Sequence, residues 1–189
     1  MIKRELYMSR IRPFIGGELI KVMTGIRRSG KSVMLDLIKE ELVESGIDSA
    51  QFISINFEDM RYAYLCNAQV LHEEILHRAE TIQGKVYLFF DEIQEVKDWE
   101  KCINSLRVAL DCDIYITGSN AKLLSGELAT YLGGRYVEFV IYPFSFAEFL
   151  ELYRPIAPQA SIQQCFQKYL LSGGMPYLAN LRYAEEPSR

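Results

Sequence analysis

The chain has 189 residues, of which 49% are hydrophobic and 24% are charged, and its formal net charge is −4. This length and composition predict one compact enzyme domain with a substantial core and at most a small appendage. No segment approaches membrane length and the charged N-terminus lacks the apolar stretch of a signal peptide, so we expect a cytoplasmic protein with no membrane partner.

The charged residues are unevenly distributed. Residues 1–31 contain eight basic and two acidic side chains, and the remainder of the chain has an acidic excess. Part of the basic cluster belongs to the loop motif described below. Four further basic residues fit contact with nucleic acid or a solvated amphipathic helix equally well, and no interleaved aromatic residues favour the first. They are Lys3, Arg4, Arg10 and Arg12.

Strand and helix patterns alternate along the chain, which predicts a parallel sheet covered by helices on both faces. We expect strands at 19–24, 51–57, 85–90, 113–117 and 136–141, and helices at 32–45, 68–82 and 98–110. The strand pattern ceases near Pro143. We therefore divide the chain into a core at 1–143 and the start of a helical lid or C-terminal appendage at 144–189.

Helical spacing also predicts which side chains are buried. The first helix should end at Gly46 and carry one buried stripe, formed by Val33, Leu37, Ile38 and Leu42. The third helix should contribute core residues rather than a binding stripe, namely Trp99, Ile103 and Leu106.

The segment Gly25-Ile-Arg-Arg-Ser-Gly-Lys-Ser32 fits GxxxxGK[ST] and directly follows the first predicted strand. Gly25 and Gly30 permit a tight turn with backbone N–H groups directed at a polyphosphate, and the following helix adds its positive dipole end. Lys31 would reach the outer phosphates and the Ser32 hydroxyl would ligate magnesium. The predicted nucleotide-binding residues are Gly25, Ile26, Arg27, Arg28, Ser29, Gly30, Lys31, Ser32 and Val33.

A second motif follows the third predicted strand, where five apolar residues at 86–90 end at Asp91 and Glu92. An acid at the carboxyl end of a buried strand suits a magnesium ligand, because ligands bind at that edge of open α/β sheets. The sequence thus predicts Asp91 as a magnesium ligand and Glu92 as the general base that polarises the attacking water.

The cysteines and histidines do not form a metal-binding pattern. Cys66, Cys102, Cys112 and Cys165 are scattered without a CxxC spacing, so we interpret them as reduced structural thiols. His72 and His77 lie five residues apart on a predicted helix, a spacing that separates their side chains, and we expect both at the surface.

Five segments together resemble a widespread prokaryotic family of AAA-type ATPases within the AAA+ class. They are Thr24-Gly-Ile-Arg-Arg-Ser-Gly-Lys-Ser32, Phe89-Phe-Asp-Glu-Ile-Gln94, Ile116-Thr-Gly-Ser-Asn120, Gly134-Arg135 and Gly173-Gly-Met-Pro176. The resemblance extends over about residues 3–178. It implies a three-layer P-loop NTPase sandwich whose five-stranded parallel sheet has the order 5-1-4-3-2, plus a partial helical lid. Family members usually continue into a C-terminal domain of unknown function, so we expect this chain to be truncated.

The resemblance implies roles for three further positions. Ser119 or Asn120 would sense the γ-phosphate after the fourth strand, although a plain turn also explains them. Arg135, just before the fifth strand, corresponds to an arginine finger that acts on the nucleotide of a neighbouring subunit, which implies self-association. A surface salt bridge is the alternative for Arg135.

The chain departs from the AAA+ pattern in two ways. AAA+ loops commonly have a glycine where this chain has Arg28, so Arg27 and Arg28 either contact phosphate or pair with acids near Glu58 and Asp59; we favour pairing for at least one. No clear second sensor arginine follows in the partial lid.

The sequence and the resemblance together predict magnesium-dependent binding of ATP and its hydrolysis to ADP and phosphate, with Glu92, Lys31, Arg135 and Ser119 or Asn120 as catalytic residues. The choice of ATP over GTP rests on the resemblance alone. The alternative is a slow-turnover nucleotide switch or scaffold whose output lies in a missing C-terminal domain. A small-molecule kinase is disfavoured because nothing resembles an acceptor pocket. A protein or DNA client is compatible with either function.

Overall fold

The computed structural model describes residues 2–119 and 132–176, in which five strands form one parallel sheet. The strands are β1 (Ile20–Thr24), β2 (Phe52–Asn56), β3 (Val86–Asp91), β4 (Cys112–Thr117) and β5 (Tyr136–Val140). Their order across the sheet is β2-β3-β4-β1-β5. This is the predicted order 5-1-4-3-2 counted from the opposite edge, so the predicted α/β arrangement is confirmed.

Helices cover both faces of the sheet. The helices of the described residues are α1 (Glu5–Ile11), α2 (Lys31–Glu44), α3 (Ala68–Ala79), α4 (Trp99–Ala109), α5 (Phe146–Tyr153) and α6 (Ile162–Ser172). Short 3-10 turns lie at Arg12–Phe14, Ser49–Gln51, Met60–Leu65 and Ile93–Glu95. One hydrophobic cluster joins α1 and α2 to one face of the sheet, and a second joins α3 and α4 to the other.

The central strands are buried on both faces, as expected for a parallel sheet between helical layers. Every residue of β3 and of β4 is buried. Leu88 and Phe90 pack in the α3–α4 cluster, whereas Phe89 belongs to the α1–α2 cluster and stacks on Tyr115 with ring centroids 5.0 Å apart. Trp99, which begins α4, is buried in the core together with Ile103 and Leu106 as predicted.

Helix α2 begins one residue before the predicted start and ends one residue before the predicted end. Gly46 follows it with φ of +95°, and the N–H of Ile47 donates to the carbonyl of Leu42 at 3.0 Å. This left-handed residue satisfies a terminal carbonyl of the helix, so the predicted C-terminal glycine is confirmed.

The buried stripe of α2 differs from the predicted one at its first position. Ile38 and Leu42 are buried as predicted, but Val33 is 36% exposed and Met34 is fully buried in its place. Each residue turns the helix by about 100°. Since the stripe is centred on Met34, Ile38 and Leu42, Val33 points away from the sheet.

The N-terminal basic segment is not a solvated helix throughout. Arg4 is only 2% exposed, because α1 packs Tyr7, Met8 and Ile11 into the core and carries Arg4 inward with them. Both interpretations proposed for Arg4 from the sequence, nucleic-acid contact and a solvated position, are therefore wrong. The remaining basic residues of the segment, Lys3, Arg10 and Arg12, are exposed.

Between Pro143 and Pro176, where the described residues end, the chain forms helices and no strand. Helices α5 and α6 each begin with a capping box, Ser145 with Glu148 and Ser161 with Gln164, which satisfies backbone groups at the first turn. The two helices contact each other through Phe146 and the rings of α6. The division of the chain at residue 143 stays a prediction.

All four cysteines are free thiols, and all but Cys66 are buried. Burial raises the pKa of the Cys102 thiol to about 12 and is the main cause that raises that of Cys112 to about 11, which suits inert structural thiols. His77 is exposed, and His72 is half-buried beside the Ser105 hydroxyl. Among the described residues, no helix is both long enough and apolar enough to cross a bilayer.

Candidate nucleotide-binding site

Most of the sequence-predicted site residues that the structure describes converge where the carboxyl ends of β1, β3 and β4 meet. The loop at 25–30 follows β1, Asp91 ends β3, Glu92 comes next, and Ser119 lies two residues beyond β4. The N–H of Gly118 donates to the carbonyl of Met23 at 3.2 Å, which joins the end of β4 to β1. The central strands thus bring segments more than ninety residues apart in sequence to one edge.

The loop conformation depends on its two glycines. Gly25 has φ of +149°, and a Cβ there would lie 2.2 Å from the carbonyl oxygen of Ile141. Gly30 has φ of +99° and precedes α2 directly, so the helix begins at Lys31 with its first N–H groups at the loop. The Ser29 hydroxyl is buried without a hydrogen-bond partner in the described structure, which leaves a polar group for a ligand to satisfy.

Lys31 is buried but loosely held. Its side chain is 3% exposed, and its Nζ lies 3.3 Å from each of the carbonyl oxygens of Gly25 and Ile26 and 3.5 Å from Oε1 of Glu92. Charge-assisted hydrogen bonds are normally about 2.7–2.9 Å long. These longer contacts leave the ammonium group of Lys31 able to form closer bonds with an anion.

Thr117 holds the two acidic residues in place. Its hydroxyl donates to Oδ1 of Asp91 and accepts from the backbone N–H of Glu92 at 3.0 Å. Glu92 adopts a left-handed conformation with φ of +54°, which is uncommon for a residue with a side chain. The amide of Gln94 donates to Oε2 of Glu92, so the carboxylate of Glu92 contacts Gln94 on one oxygen and Lys31 on the other.

Thr117 and Gln94 were not among the predicted site residues. The signal for Thr117 was a polar residue that ends an otherwise apolar strand, and Gln94 stands within the segment at 89–94 that contributes to the family resemblance. Neither signal identifies a partner. The Thr117 contacts depend on how β3 and β4 pair, and the Gln94 contact depends on the turn that begins at the left-handed residue Glu92.

The outer face of the loop is exposed. Ile26, Arg27, Arg28, Ser32 and Val33 are all exposed around it. Arg27 donates to Oε1 of Glu58 at 3.0 Å, which confirms the predicted pairing for one of the two arginines. Arg28 adopts a left-handed conformation with φ of +67°.

Arg135 lies at the opposite edge of the sheet from the glycine loop at 25–30 of its own chain. The N–H of Ile20, the first residue of β1, donates to the carbonyl of Arg135 at 3.0 Å, whereas the loop follows the last residue of β1. Five residues of strand span about 16 Å. The exposed Arg135 therefore does not join the site of its own chain. Ser119 is half-buried at the site edge, and Asn120 lies outside the described residues.

Residues 18–150 match the sequence model of a family described as AAA domain. The chain belongs to the AAA domain family. An uncharacterized protein of Haemophilus influenzae is 43% identical over 187 residues, which are 99% of this chain and 46% of that protein. The uncharacterized protein MJ1544 of Methanocaldococcus jannaschii is 36% identical over 166 residues, 83% of this chain and 35% of its own length. This AAA domain thus spans less than half the length of these relatives.

Solved structures with the same fold come from the AAA+ class of P-loop NTPases. Aeropyrum pernix Orc1 in complex with DNA aligns with a TM-score of 0.58 at 14% identity, over 84% of this chain and 50% of Orc1. Saccharomyces cerevisiae Hsp104 in a casein complex aligns with a TM-score of 0.59 at 15% identity, over 95% of this chain and 36% of Hsp104. DnaA bound to AMPPCP and single-stranded DNA aligns with a TM-score of 0.55 at 16% identity, over 92% of this chain and 57% of DnaA. These likenesses confirm the predicted AAA+ P-loop NTPase fold.

Proposed function

We propose that this AAA domain binds ATP with magnesium and hydrolyses it to ADP and phosphate. The observation that carries the proposal is the placement of a loosely held, buried Lys31 within 3.5 Å of Glu92, beside Asp91 and at the end of the glycine loop. Phosphoryl transfer to water requires a cation that binds the phosphates, a ligand for the metal and a base, and these three residues supply them.

The loop would bind the phosphates of ATP. The backbone N–H groups of residues 25–30 and the N-terminus of α2 offer donors and positive dipole to the phosphate oxygens. The buried Ser29 hydroxyl supports this assignment, since it has no hydrogen-bond partner among the described residues and could bond to a phosphate oxygen. Lys31 would exchange its long contacts with Gly25 and Ile26 for closer contacts with the β- and γ-phosphates.

The Ser32 hydroxyl and the Asp91 carboxylate would hold magnesium, and the donor set fits, because both groups are hard oxygen ligands at the same sheet edge. Bound magnesium would offset the negative charge of the phosphate oxygens. The Thr117 hydroxyl keeps Asp91 in one orientation for this role.

Hydrolysis would depend on Glu92. Its carboxylate would accept a proton from the water that attacks the γ-phosphoryl group in line, and Ser119 or Asn120 would help to hold that water. The hydrogen bond from the Glu92 N–H to Thr117 keeps the backbone of Glu92 beside Asp91.

A slow-turnover nucleotide switch is a second candidate. The observation that favours it is the engagement of the Glu92 carboxylate by both Lys31 and Gln94, since a base that must first leave these contacts acts slowly. The output of such a switch would lie in the remainder of a longer protein.

Phosphate release measured with and without magnesium, at several protein concentrations, separates the two candidates. The wild type should release phosphate only with magnesium, and Glu92→Gln should retain ATP binding by calorimetry while turnover falls about 100-fold or more. Glu95→Gln, an exposed acid on the same turn, is the matched control and should retain turnover. ATP binding without magnesium-dependent turnover in the wild type would support the switch instead.

We also propose that Arg135 acts on the nucleotide of a neighbouring copy. Its position at the opposite end of the strands supports action in trans. After ATP-dependent association has been demonstrated by light scattering, Lys31→Ala and Arg135→Ala subunits should each be inactive alone. Their mixture should regain activity with rising total concentration, because the Lys31→Ala subunit still supplies Arg135. A mixture no more active than its separate components would reduce Arg135 to a structural residue.

A further inference from the structure

Arg4 is a buried cation that contacts three other segments of the chain. Its Nε donates to Oε1 of Glu148 at 2.9 Å, its Nη1 to the carbonyl of Ser29 at 2.9 Å, and its Nη2 to the carbonyl of Tyr142 at 2.7 Å. The guanidinium also lies 4.6 Å and 5.1 Å from the ring centroids of Tyr7 and Phe144. One side chain thus joins α1 to the phosphate loop, to the end of β5 and to α5.

This arrangement needs an arginine. Burial of a charge is costly, and an apolar side chain often stabilises a core as well as a buried ion pair does. The planar fork of Arg4 reaches three acceptors in three directions, which a lysine ammonium on a flexible stem does not reproduce. The contacts of Arg4 therefore specify relative positions of the loop and α5.

At the loop, Arg4 determines the orientation of one peptide group. The carbonyl that accepts from Arg4 belongs to Ser29, and the same planar peptide carries the N–H of Gly30. In a trans peptide the two groups point in opposite directions, so a carbonyl held toward Arg4 directs the Gly30 N–H away from it. A Cβ on Gly30 would lie 3.3 Å from Nη1 of Arg4, so the guanidinium packs directly against this last glycine of the loop.

At the helical end, the partner of Arg4 also belongs to the capping box of α5, whose N-cap residue is Ser145. Oε2 of Glu148 accepts from the backbone N–H of Ser145 at 2.8 Å and from its hydroxyl at 3.0 Å, while Oε1 accepts from Arg4. One carboxylate therefore both starts α5 and binds the arginine beneath the loop.

The segment Gly173-Gly-Met-Pro176, which the sequence singled out without a role, belongs to the same junction. The N–H of Phe144 donates to the carbonyl of Gly174 at 2.6 Å, and a Cβ on Gly174 would lie 2.2 Å from the carbonyl oxygen of Phe144. Only glycine permits this approach. Pro176 then lies 3.7 Å from the position of a Cβ on Gly30, so the end of this segment also reaches the phosphate loop.

We propose that Arg4 is a positioning residue that couples the phosphate loop to helices α5 and α6, so that nucleotide bound in the loop stabilises these helices and the helices in turn strengthen nucleotide binding. The inference rests on the proposed nucleotide-binding function. The two effects are linked, because a coupling free energy between two sites is reciprocal.

Hydrogen exchange of the backbone amides in Phe146–Tyr153 and Ile162–Ser172, measured with and without ADP, tests the coupling. ADP should slow exchange in the wild type by about tenfold. Arg4→Met should abolish that response and weaken ADP binding by about tenfold. Arg12→Met is the matched control, since Arg12 pairs with Glu5 and Glu41 without contacting the loop. This variant should retain the slower exchange with ADP and the affinity for ADP.

Two conservative variants keep the test decisive if Arg4→Met does not fold. Arg4→Lys keeps the charge and Glu148→Gln keeps the shape, and each should reduce the ADP response while the chain stays folded. An unchanged ADP response in folded Arg4 variants would overturn the inference and leave Arg4 a structural ion pair. ADP binding by the wild type without slower exchange in the two helices would overturn the coupling alone, whereas no ADP binding at all would overturn the proposed function as well.

Discussion

Two buried lysines lie near opposite ends of β1 and are held in different ways. Lys21 is near the start of the strand, and Lys31, at the start of α2, lies beyond its end. The ammonium group of Lys21 is fully buried and donates to Asp113, to the carbonyl of Leu19 at 2.8 Å and to that of Gly17 at 3.1 Å. Its three protons thus have three acceptors. Lys31 has only contacts of 3.3–3.5 Å.

The carboxylate partners differ in the same way. Asp113 also accepts from the Gly16 N–H and the Tyr115 hydroxyl, each at 2.7 Å, and it is fully buried. Glu92 is partly exposed and is held by one amide and the long contact to Lys31. Burial lowers the pKa of Lys21, although Asp113 opposes this shift. A saturated pair stabilises the fold, whereas a loosely held pair leaves charges for a ligand.

The largest expected effect is on stability at Lys21. Lys21→Met leaves Asp113 buried without its cation, which should lower the free energy of unfolding by about 3–5 kcal/mol in denaturant titration. Lys101→Met, which removes an exposed pair with Asp98, should lower the free energy of unfolding far less, because solvent screens such a pair. The double variant Lys21→Met with Asp113→Asn should recover part of the loss. A loss at Lys21 no larger than that at Lys101 would break the comparison.

The effect at Lys31 should be on binding instead. Lys31→Met removes the ammonium group proposed to bind the phosphates. It should raise the Kd for ATP about 100-fold in calorimetry, because hydrogen bonds to charged groups contribute about 1.5–3 kcal/mol each. Its free energy of unfolding should change far less than that of Lys21→Met. Lys39→Met, on the same helix and paired with Asp36, should leave the Kd unchanged. Undiminished ATP affinity in Lys31→Met would contradict the assignment of the loop.

A smaller effect is expected at Thr117, which orients the acidic partner of Lys31. Thr117→Val removes the hydroxyl that contacts Asp91 and Glu92, so turnover should fall about tenfold, equivalent to about 1.4 kcal/mol. ATP affinity should change less than turnover. Thr117→Ser retains the hydroxyl and should restore most of the rate. Equal turnover in the valine and serine variants would show that the contact is not needed.

The smallest effect concerns the Arg4–Glu148 pair, which is intermediate between the two lysine pairs. Burial acts to raise the pKa of Glu148, but the hydrogen bonds from Arg4 and Ser145 lower it below its ordinary value of 4.5. Since the folded chain has the lower pKa, the ionised carboxylate stabilises the fold above about pH 4.5, and this contribution is lost as the pH falls through the lowered pKa. The free energy of unfolding should therefore decrease more steeply from pH 5 to about pH 3 in the wild type than in Glu148→Gln. Parallel pH profiles would refute this.

Local patterns were sufficient to predict much of the architecture and of the candidate site. The strands were located because buried parallel strands are short apolar runs, and the loop because Gly25 and Gly30 satisfy conformations that other residues adopt poorly. The order of the strands came from the resemblance to AAA-type ATPases, and the sheet has that order. The pairing of Arg27 was predicted only as one of two alternatives.

The sequence by itself determined the five strands, the helices that became α2, α3 and α4, and the position of the glycine loop at 25–30, because these depend on spacing within a few neighbouring residues. The tertiary structure alone decided that Arg4 is buried beneath the loop, that Lys21 meets Asp113, and that Val33 faces away from the core. The first two contacts join residues separated by 25 and 92 positions. They arise from the order and register of the strands and the packing of helices against them, which no local pattern encodes.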